Sequence, residues 1–243
     1  MRLDRFLARE TDLGRRGVRL ALAAGRVRVD GQPVGDGLYP VDGFSAVTLD
    51  GVSLRRGVPR YLMVHKPAGC VSATRDRHHP TVLDLIDEPE PVKAGLHLAG
   101  RLDFNSTGLV LLTNDGRWSR RLTEPGSGEK IYHVRTEDPI GEHYGEVFRR
   151  GLYFRYEDLT TLPAELEILG PREARVTLRE GRYHHIKRLF GHFDNRVVAL
   201  HRESVAGIRL DPALAPGGYR PLSDEELRTS RRTGGADVRR PAG

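Results

Sequence analysis

Gly100-Arg101-Leu102-Asp103-Phe104-Asn105-Ser106-Thr107-Gly108-Leu109-Val110-Leu111-Leu112-Thr113-Asn114-Asp115-Gly116 has two unlike halves. Residues 109–112 are an unbroken apolar run between Gly108 and the turn-forming Asn114-Asp115-Gly116, the pattern of a strand buried on both faces. The half before it is polar, with Arg, Asp, Asn, Ser and Thr between two glycines, and reads as a loop delivered onto that strand. Binding and catalytic groups tend to sit on loops held by a rigid scaffold. Arg101, two residues from Asp103, is placed to favour the ionised carboxylate. An isolated Asp between glycines ordinarily caps a turn, so the weight falls on the whole string.

Composition narrows the classes. The 243 residues suffice for one large domain, or for a small and a medium one. Charged residues make up 30% and the net charge is +6, which favours a polyanionic partner. Only Lys66, Lys93, Lys130 and Lys187 are lysines, so arginine is the default base of this chain and no Arg is informative by type alone. Cys70 is the single cysteine, which excludes an internal disulfide and a multi-cysteine zinc site and fits a reducing compartment. No stretch approaches the roughly 18 apolar residues of a membrane span, and Met1-Arg2-Leu3-Asp4 does not open a signal peptide. A soluble, cytoplasmic protein with no membrane partner is expected.

Before the quoted stretch, residues 1–57 read as a small basic module. Leu3, Phe6, Leu7 and Glu10 set a helical period with Arg2, Arg5 and Arg9 on another face; Val18, Ala21 and Leu22 follow with Arg15, Arg16 and Arg19 opposite. Asp30-Gly31 after Val27 and Val29, and Asp50-Gly51 after Val47-Thr48-Leu49, are hairpin signals. Arg55-Arg56-Gly57-Val58-Pro59 is a polar joint.

A larger domain is expected over residues 58–230. Leu62 and Val64 alternate in a first strand ending at Lys66-Pro67-Ala68-Gly69. Thr74–Pro80 is a polar loop before a short helix marked by Val82, Leu85 and Ile86. Its adjacent His78 and His79 lack further ligands at metal-binding spacing. Trp118 and Leu122 mark a helix ended by Pro125 and Gly126, and a strand from Lys130 to Thr136 carries Tyr132. Ala164, Leu166 and Ile168 alternate in another strand, and Val176 and Leu178 in the next. Glu180-Gly181-Arg182-Tyr183-His184-His185-Ile186-Lys187-Arg188 reads as a basic helix start. Val197–Leu200 and Gly207–Leu210 are expected to close the sheet, and Ser223-Asp224-Glu225-Glu226 is a capping box for a last helix. Beyond about Thr229 the Arg-, Gly- and Pro-rich composition predicts a disordered tail over 231–243.

The string Gly-Arg-Leu-Asp, two free residues, Ser106, one free residue, Gly108, an apolar run and Thr113-Asn114 resembles the signature of the pseudouridine synthases, in particular the ribosomal-RNA branch typified by the small-subunit enzyme. The first 57 residues resemble the S4 RNA-binding domain, most clearly at Gly25-Arg26-Val27-Arg28-Val29-Asp30-Gly31, with Gly14 where a Ser often stands. The resemblance implies an α+β fold, an S4-like domain followed by a mixed, mainly antiparallel-sheet catalytic domain.

It also implies site roles: Asp103 as the catalytic carboxylate, Tyr132 as the ring stacking on the target base, and Lys187 as the cation on Asp103, with Arg188 the next candidate. Arg101, Arg182, Arg188, Arg5, Arg15, Arg16 and Arg19 are expected to contact RNA, and His184 and His185 to be RNA-facing or structural. Isomerising uridine consumes nothing, in keeping with a sequence that has no phosphate-cradling loop, dinucleotide fingerprint or metal-ligand cluster; no cofactor and no metal are expected. The closing run Leu210–Leu222 and the Thr74–Pro91 segment favour 16S rRNA or an assembling small subunit as partner of a monomer. The alternatives are a 23S rRNA synthase, a non-catalytic rRNA-binding protein, and a hydrolase with Asp103 as nucleophile.

Overall fold

Leu3, Phe6 and Leu7 are buried on one side of α1 (Leu3–Glu10), and Val18, Ala21 and Leu22 on one side of α2 (Arg15–Ala23), so each helix is held by an apolar stripe while its arginines stay in water. This is seen in a computed structural model that describes residues 1–41, 45–55, 59–124, 126 and 128–233. The helices cover a four-stranded sheet of β1 (Val27–Val29), β2 (Gln32–Pro33), β3 (Val47–Leu49) and β4 (Val52–Arg55), in the order β2-β1-β3-β4. Asp30-Gly31 and Asp50-Gly51 both take positive φ, 52° and 79° in each pair. Two such residues in succession match the twist of the strands they join. Met1–Arg60, with Thr113–Arg117, form one compact unit; Tyr61–Leu112 and the described residues from Trp118 onward form the other. Residues 56–58 of the expected joint lie outside the described residues.

The second unit is built on a nine-stranded sheet. Its strands, in chain order, are β5 (Tyr61–Lys66), β6 (His97–Leu98), β7 (Thr107–Thr113), β8 (Lys130–Thr136), and then, after the separate small hairpin β9 (Tyr153–Phe154) and β10 (Leu159–Thr160), β11 (Glu165–Gly170), β12 (Glu173–Leu178), β13 (Val197–Val205), β14 (Ile208–Arg209) and β15 (Tyr219–Pro221). The spatial order is β11-β12-β8-β13-β7-β5-β15, with β14 on β13 and β6 on β7. The β13–β7 pair is parallel, while β11–β12, β12–β8, β8–β13 and β15–β5 are antiparallel, so the sheet is mixed.

The apolar run behaves as its pattern implies. Val110 and Leu112 join one core with Leu62, Val64, Tyr132, Val176, Ile186 and Phe190, and Leu109 and Leu111 join another with Met63, Trp118, Leu122 and Ile208. Both faces of β7 are covered, which removes each of these side chains from water at a gain of about 1.5–3 kcal/mol apiece. Of the helices α3 (Glu90–Lys93), α4 (Gly116–Thr123), α5 (Tyr144–Arg150), α6 (His185–Gly191) and α7 (Asp224–Thr233), α5 and α6 pack in the first core, while Trp118 and Leu122 of α4 and Leu227 of α7 lie in the second. Among the described residues no helix is long and apolar enough to cross a membrane.

Four expectations change. Val197–Leu200 does not close the sheet: β13 continues to Val205 and lies between β8 and β7, while β15 forms the edge. Arg202 and Ser204 hid the inner part of this strand because they are polar, yet both are buried. Ala164 precedes β11, and Ile168 is exposed, because β11 is itself an edge strand of which Leu166 packs on the core. Val82–Leu85 is a single 3₁₀ turn closed by a reciprocal cap between Thr81 and Asp84. Arg231–Thr233 are helical, since α7 is tethered at Ser230, whose buried hydroxyl accepts the Trp118 indole N–H at 2.9 Å. Residues 234–243 of the expected tail lie outside the described residues.

Candidate active site

The loop from Arg101 to Leu109 is held by its main chain, which leaves the Asp103 side chain free for other work. Lys66, 0% exposed at the end of β5, donates its three N–H groups to the carbonyls of Pro67, Phe104 and Ser106 at 3.0, 3.1 and 2.7 Å. Burial lowers its pKa, which the charges of Cys70 and Asp103 oppose in part. Ser72 Oγ donates to the Leu102 carbonyl at 2.7 Å and accepts the Leu102 N–H at 3.0 Å. Arg202, 2% exposed in β13, reaches the two ends of the loop: Nε donates to the Leu109 carbonyl at 2.7 Å and Nη1 to the Arg101 carbonyl at 3.1 Å. Arg202 also faces Tyr132 on β8 and Gly108 on β7 in register, with its guanidinium carbon 6.0 Å from the Tyr132 ring centroid. The sheet thus ties the loop and Tyr132 to one buried cation.

Asp103 opens into a cleft lined by Arg101, Tyr132, Arg182, His184, His185 and Lys187, among others. Lys187 Nζ lies 2.7 Å from Asp103 Oδ2, and His184 Nε2 lies 3.6 Å from the same oxygen. Lys187 stands in the first turn of α6, two residues past its start. His184, just ahead of that helix, takes φ 50° and ψ 31°, a left-handed backbone that costs a residue with a side chain about 1–3 kcal/mol. Arg182 is pinned to the cleft wall by Glu180, whose carboxylate is buried and also accepts the Leu162 N–H. His185 is 4% exposed and sits edge-on to Phe154; burial pushes its imidazole down to about 4, so it is neutral.

The expected residues are not all brought together. Asp103, Tyr132, Lys187, Arg101 and Arg182 share the cleft. Arg101 contributes its carbonyl to Arg202, and the cation on the Asp103 carboxylate is Lys187. Arg188 is turned away: it pairs with Glu157 at 2.7 and 3.0 Å and lies 3.3 Å over the Phe154 ring. In the first unit, Arg5, Arg15 and Arg19 line a groove with Arg2, Asp4, Ala8 and Val18, while Arg16 is exposed on α2 outside that lining. Lys66, Ser72, Glu180 and Arg202 were not singled out from the sequence as site residues. The available signals were a Lys at the close of an apolar strand and an Arg inside a nine-residue strand.

The family model described as RNA pseudouridylate synthase matches residues 60–192, more than half of the chain and most of this unit's cleft. The chain belongs to the RNA pseudouridylate synthase family, and is therefore an isomerase of uridine in RNA. Over 229 residues it is 60% identical to a curated protein of Pseudomonas aeruginosa named ribosomal small subunit pseudouridine synthase A, covering 93% of this chain and 99% of that one. It is 45% identical to the Escherichia coli K12 protein of the same name, covering 93% and 98%. A solved structure described as a crystal structure of pseudouridylate synthase superposes with a TM-score of 0.70 at 38% identity, covering 95% of this chain and 99% of that one.

Proposed function

We propose that this chain converts one uridine of 16S rRNA to pseudouridine, with Asp103 as the catalytic carboxylate, Lys187 as its electrostatic partner and Tyr132 as the ring beneath the target base. The observation that carries the reading is the Asp103–Lys187 pair at 2.7 Å in a cleft that also holds Tyr132. The reaction breaks the bond from uracil to ribose, turns the base and rejoins it through carbon, so a single carboxylate acts while water is kept from the detached base. A lysine ammonium 2.7 Å from that carboxylate fixes its position. A uridine within folded RNA must first be turned out of its stack, at roughly a few kcal/mol, which an aromatic platform in the cleft recovers in part.

The small-subunit substrate is supported by the names of the relatives at 60% and 45% identity. Residues 1–57 are read as an S4-like RNA-binding domain: two helices with exposed arginines over a small sheet supply phosphate contacts through Arg5, Arg15, Arg16 and Arg19. Residues 58–230 are read as the catalytic domain of a cytoplasmic monomer. Mapping pseudouridines in the ribosomal RNA of cells lacking the protein tests the substrate. Loss of one site in 16S rRNA is expected, and loss confined to 23S rRNA overturns the assignment.

A further inference from the structure

Tyr183 and His184 form a stacked pair at the mouth of the cleft. Their ring centroids are 3.8 Å apart with 20° between the planes, and the histidine of the pair reaches Asp103 Oδ2 at 3.6 Å. Tyr183 itself is 74% exposed, so His184 covers part of its ring and most of the rest faces water. The ring fills no core, and it does not line the cleft as Tyr132 does. It is presented there by the left-handed backbone at His184, at φ 50°.

The segment fastened to the start of α6 has the same chemistry. The β9–β10 hairpin is fastened to the start of α6 through Phe154, which is covered by the Arg188 guanidinium and met edge-on by His185, and through the Arg188–Glu157 pair. That hairpin carries Tyr156, 97% exposed, next to Glu157. Arg182 lies between Gly181 and Tyr183 on the cleft wall. Exposed rings interleaved with arginines are what a splayed single strand of RNA stacks on and passes along.

Resting on the reading of Asp103 as the catalytic group, we infer that Tyr183 is the stacking platform for a nucleotide next to the target uridine. Contacts run Asp103, His184, Tyr183, so the tyrosine stands one ring farther out than the carboxylate. When the target base leaves its stack to enter the cleft, its neighbour loses a stacking partner, and Tyr183 replaces it. Because every base has a π face, the platform favours an unstacked strand at this position and is indifferent to which base occupies it.

The test uses the full chain and the small-subunit RNA fragment that contains the mapped site, with 2-aminopurine placed on either side of the target uridine. Wild-type protein should quench one of the two probes on binding, and Tyr183→Ala should not. In turnover on the unlabelled fragment, Tyr183→Ala should raise the half-saturating RNA concentration about 5- to 100-fold, the range of one lost base–aromatic stack, with the saturated rate within about threefold of wild type. Tyr183→Phe should stay within about twofold on both. Unchanged quenching in Tyr183→Ala, equal losses from Phe and Ala, or a fall confined to the saturated rate would each overturn the platform. Asp103→Ala separates the two readings: activity in that variant sinks the catalytic assignment, whereas an inactive Asp103→Ala beside an unaffected Tyr183→Ala sinks only the platform. Tyr183 is exposed and fills no core, and the melting of the buried Trp118 signal checks that each variant folds.

Discussion

Gly108 and Arg202 touch through their backbones at the parallel pairing of β7 with β13. A β-carbon on Gly108, at φ 107°, would fall 2.6 Å from the Arg202 amide nitrogen and closer still to its carbonyl oxygen. The side chain of the same arginine holds the carbonyls of Arg101 and Leu109, so the close approach and the loop anchorage belong to one device. Gly108→Ala should therefore destabilise the second unit by about 2–4 kcal/mol through overpacking and a backbone angle that alanine resists. Urea unfolding followed at Trp118, the single tryptophan and buried in this unit, checks the size of the loss; a midpoint equal to wild type would contradict it.

Lys187 and Arg188 are adjacent in sequence and separated in role. Lys187 meets Asp103, while Arg188 is spent on Glu157 and Phe154. Lys187→Met should lower turnover at least a hundredfold with RNA affinity changed by less than about threefold, because one contact among many phosphate contacts contributes little to binding. Arg188→Met should cost less than tenfold in rate and show its effect in stability, through the freed Glu157. Single-turnover assays on both variants decide this, and the reverse ranking would move the partnership with Asp103 to Arg188.

His185 makes the second unit sensitive to acid. Its imidazole is buried and sits at about 4 against an ordinary 6.5, so between these values the unfolded chain takes up a proton that the native chain refuses. Stability contributed by the neutral ring is complete above pH 6.5 and is lost as pH falls towards 4. His185→Gln removes the titration, so the stability difference between wild type and variant should shift by about 3 kcal/mol between pH 7 and pH 4, in favour of the variant at acid pH. Parallel denaturation curves at several pH values measure it, and a constant difference would show that the ring protonates freely in the native state.

Arg5, Arg15 and Arg19 line one groove of the first unit. Replacing all three with Ser in the full chain should weaken RNA binding and flatten its dependence on salt, the slope of log affinity against log salt falling by about 0.7–0.9 for each phosphate contact removed. The saturated rate should remain near wild type, since Asp103, Tyr132 and Lys187 are untouched. Titrations at several salt concentrations test the slope; if it is unchanged, the groove serves something other than this RNA.

The elements legible in the sequence are those whose cause is local. Leu109–Leu112 spoke for a strand covered on both faces because continuous apolarity leaves no face for water, and the strand is covered on both. Asp30-Gly31 and Asp50-Gly51 marked hairpins because two successive positive φ angles suit few residue pairs. Ser223 and Glu226 announced a helix start because each satisfies the other's backbone N–H, at 3.2 and 2.7 Å. Asp103 stood out through the string around it, and Lys187 only as one of two neighbouring cations.

What the sequence could not carry is every relation between residues far apart in the chain. Arg202 lies just past the expected Val197–Leu200 strand and drew no reading from the sequence; the sheet order places it between Tyr132 and Gly108, where burial turns its charge into an anchor for a loop about a hundred residues earlier. Lys66 looked like the edge of a turn, and is instead a buried ammonium whose three donors are matched by three carbonyls. The choice of Lys187 over Arg188 depends on the rotation of α6 against the core, set by Ile186, Leu189 and Phe190 packing inward. Local pattern determined the elements whose burial is continuous or periodic or whose ends are capped, such as β7, α1, α2 and the start of α7, because hydrogen bonding and burial within a few residues decide those. Only tertiary packing decided which cation faces Asp103, because a side chain's partner is fixed by where its backbone is held and not by its own type.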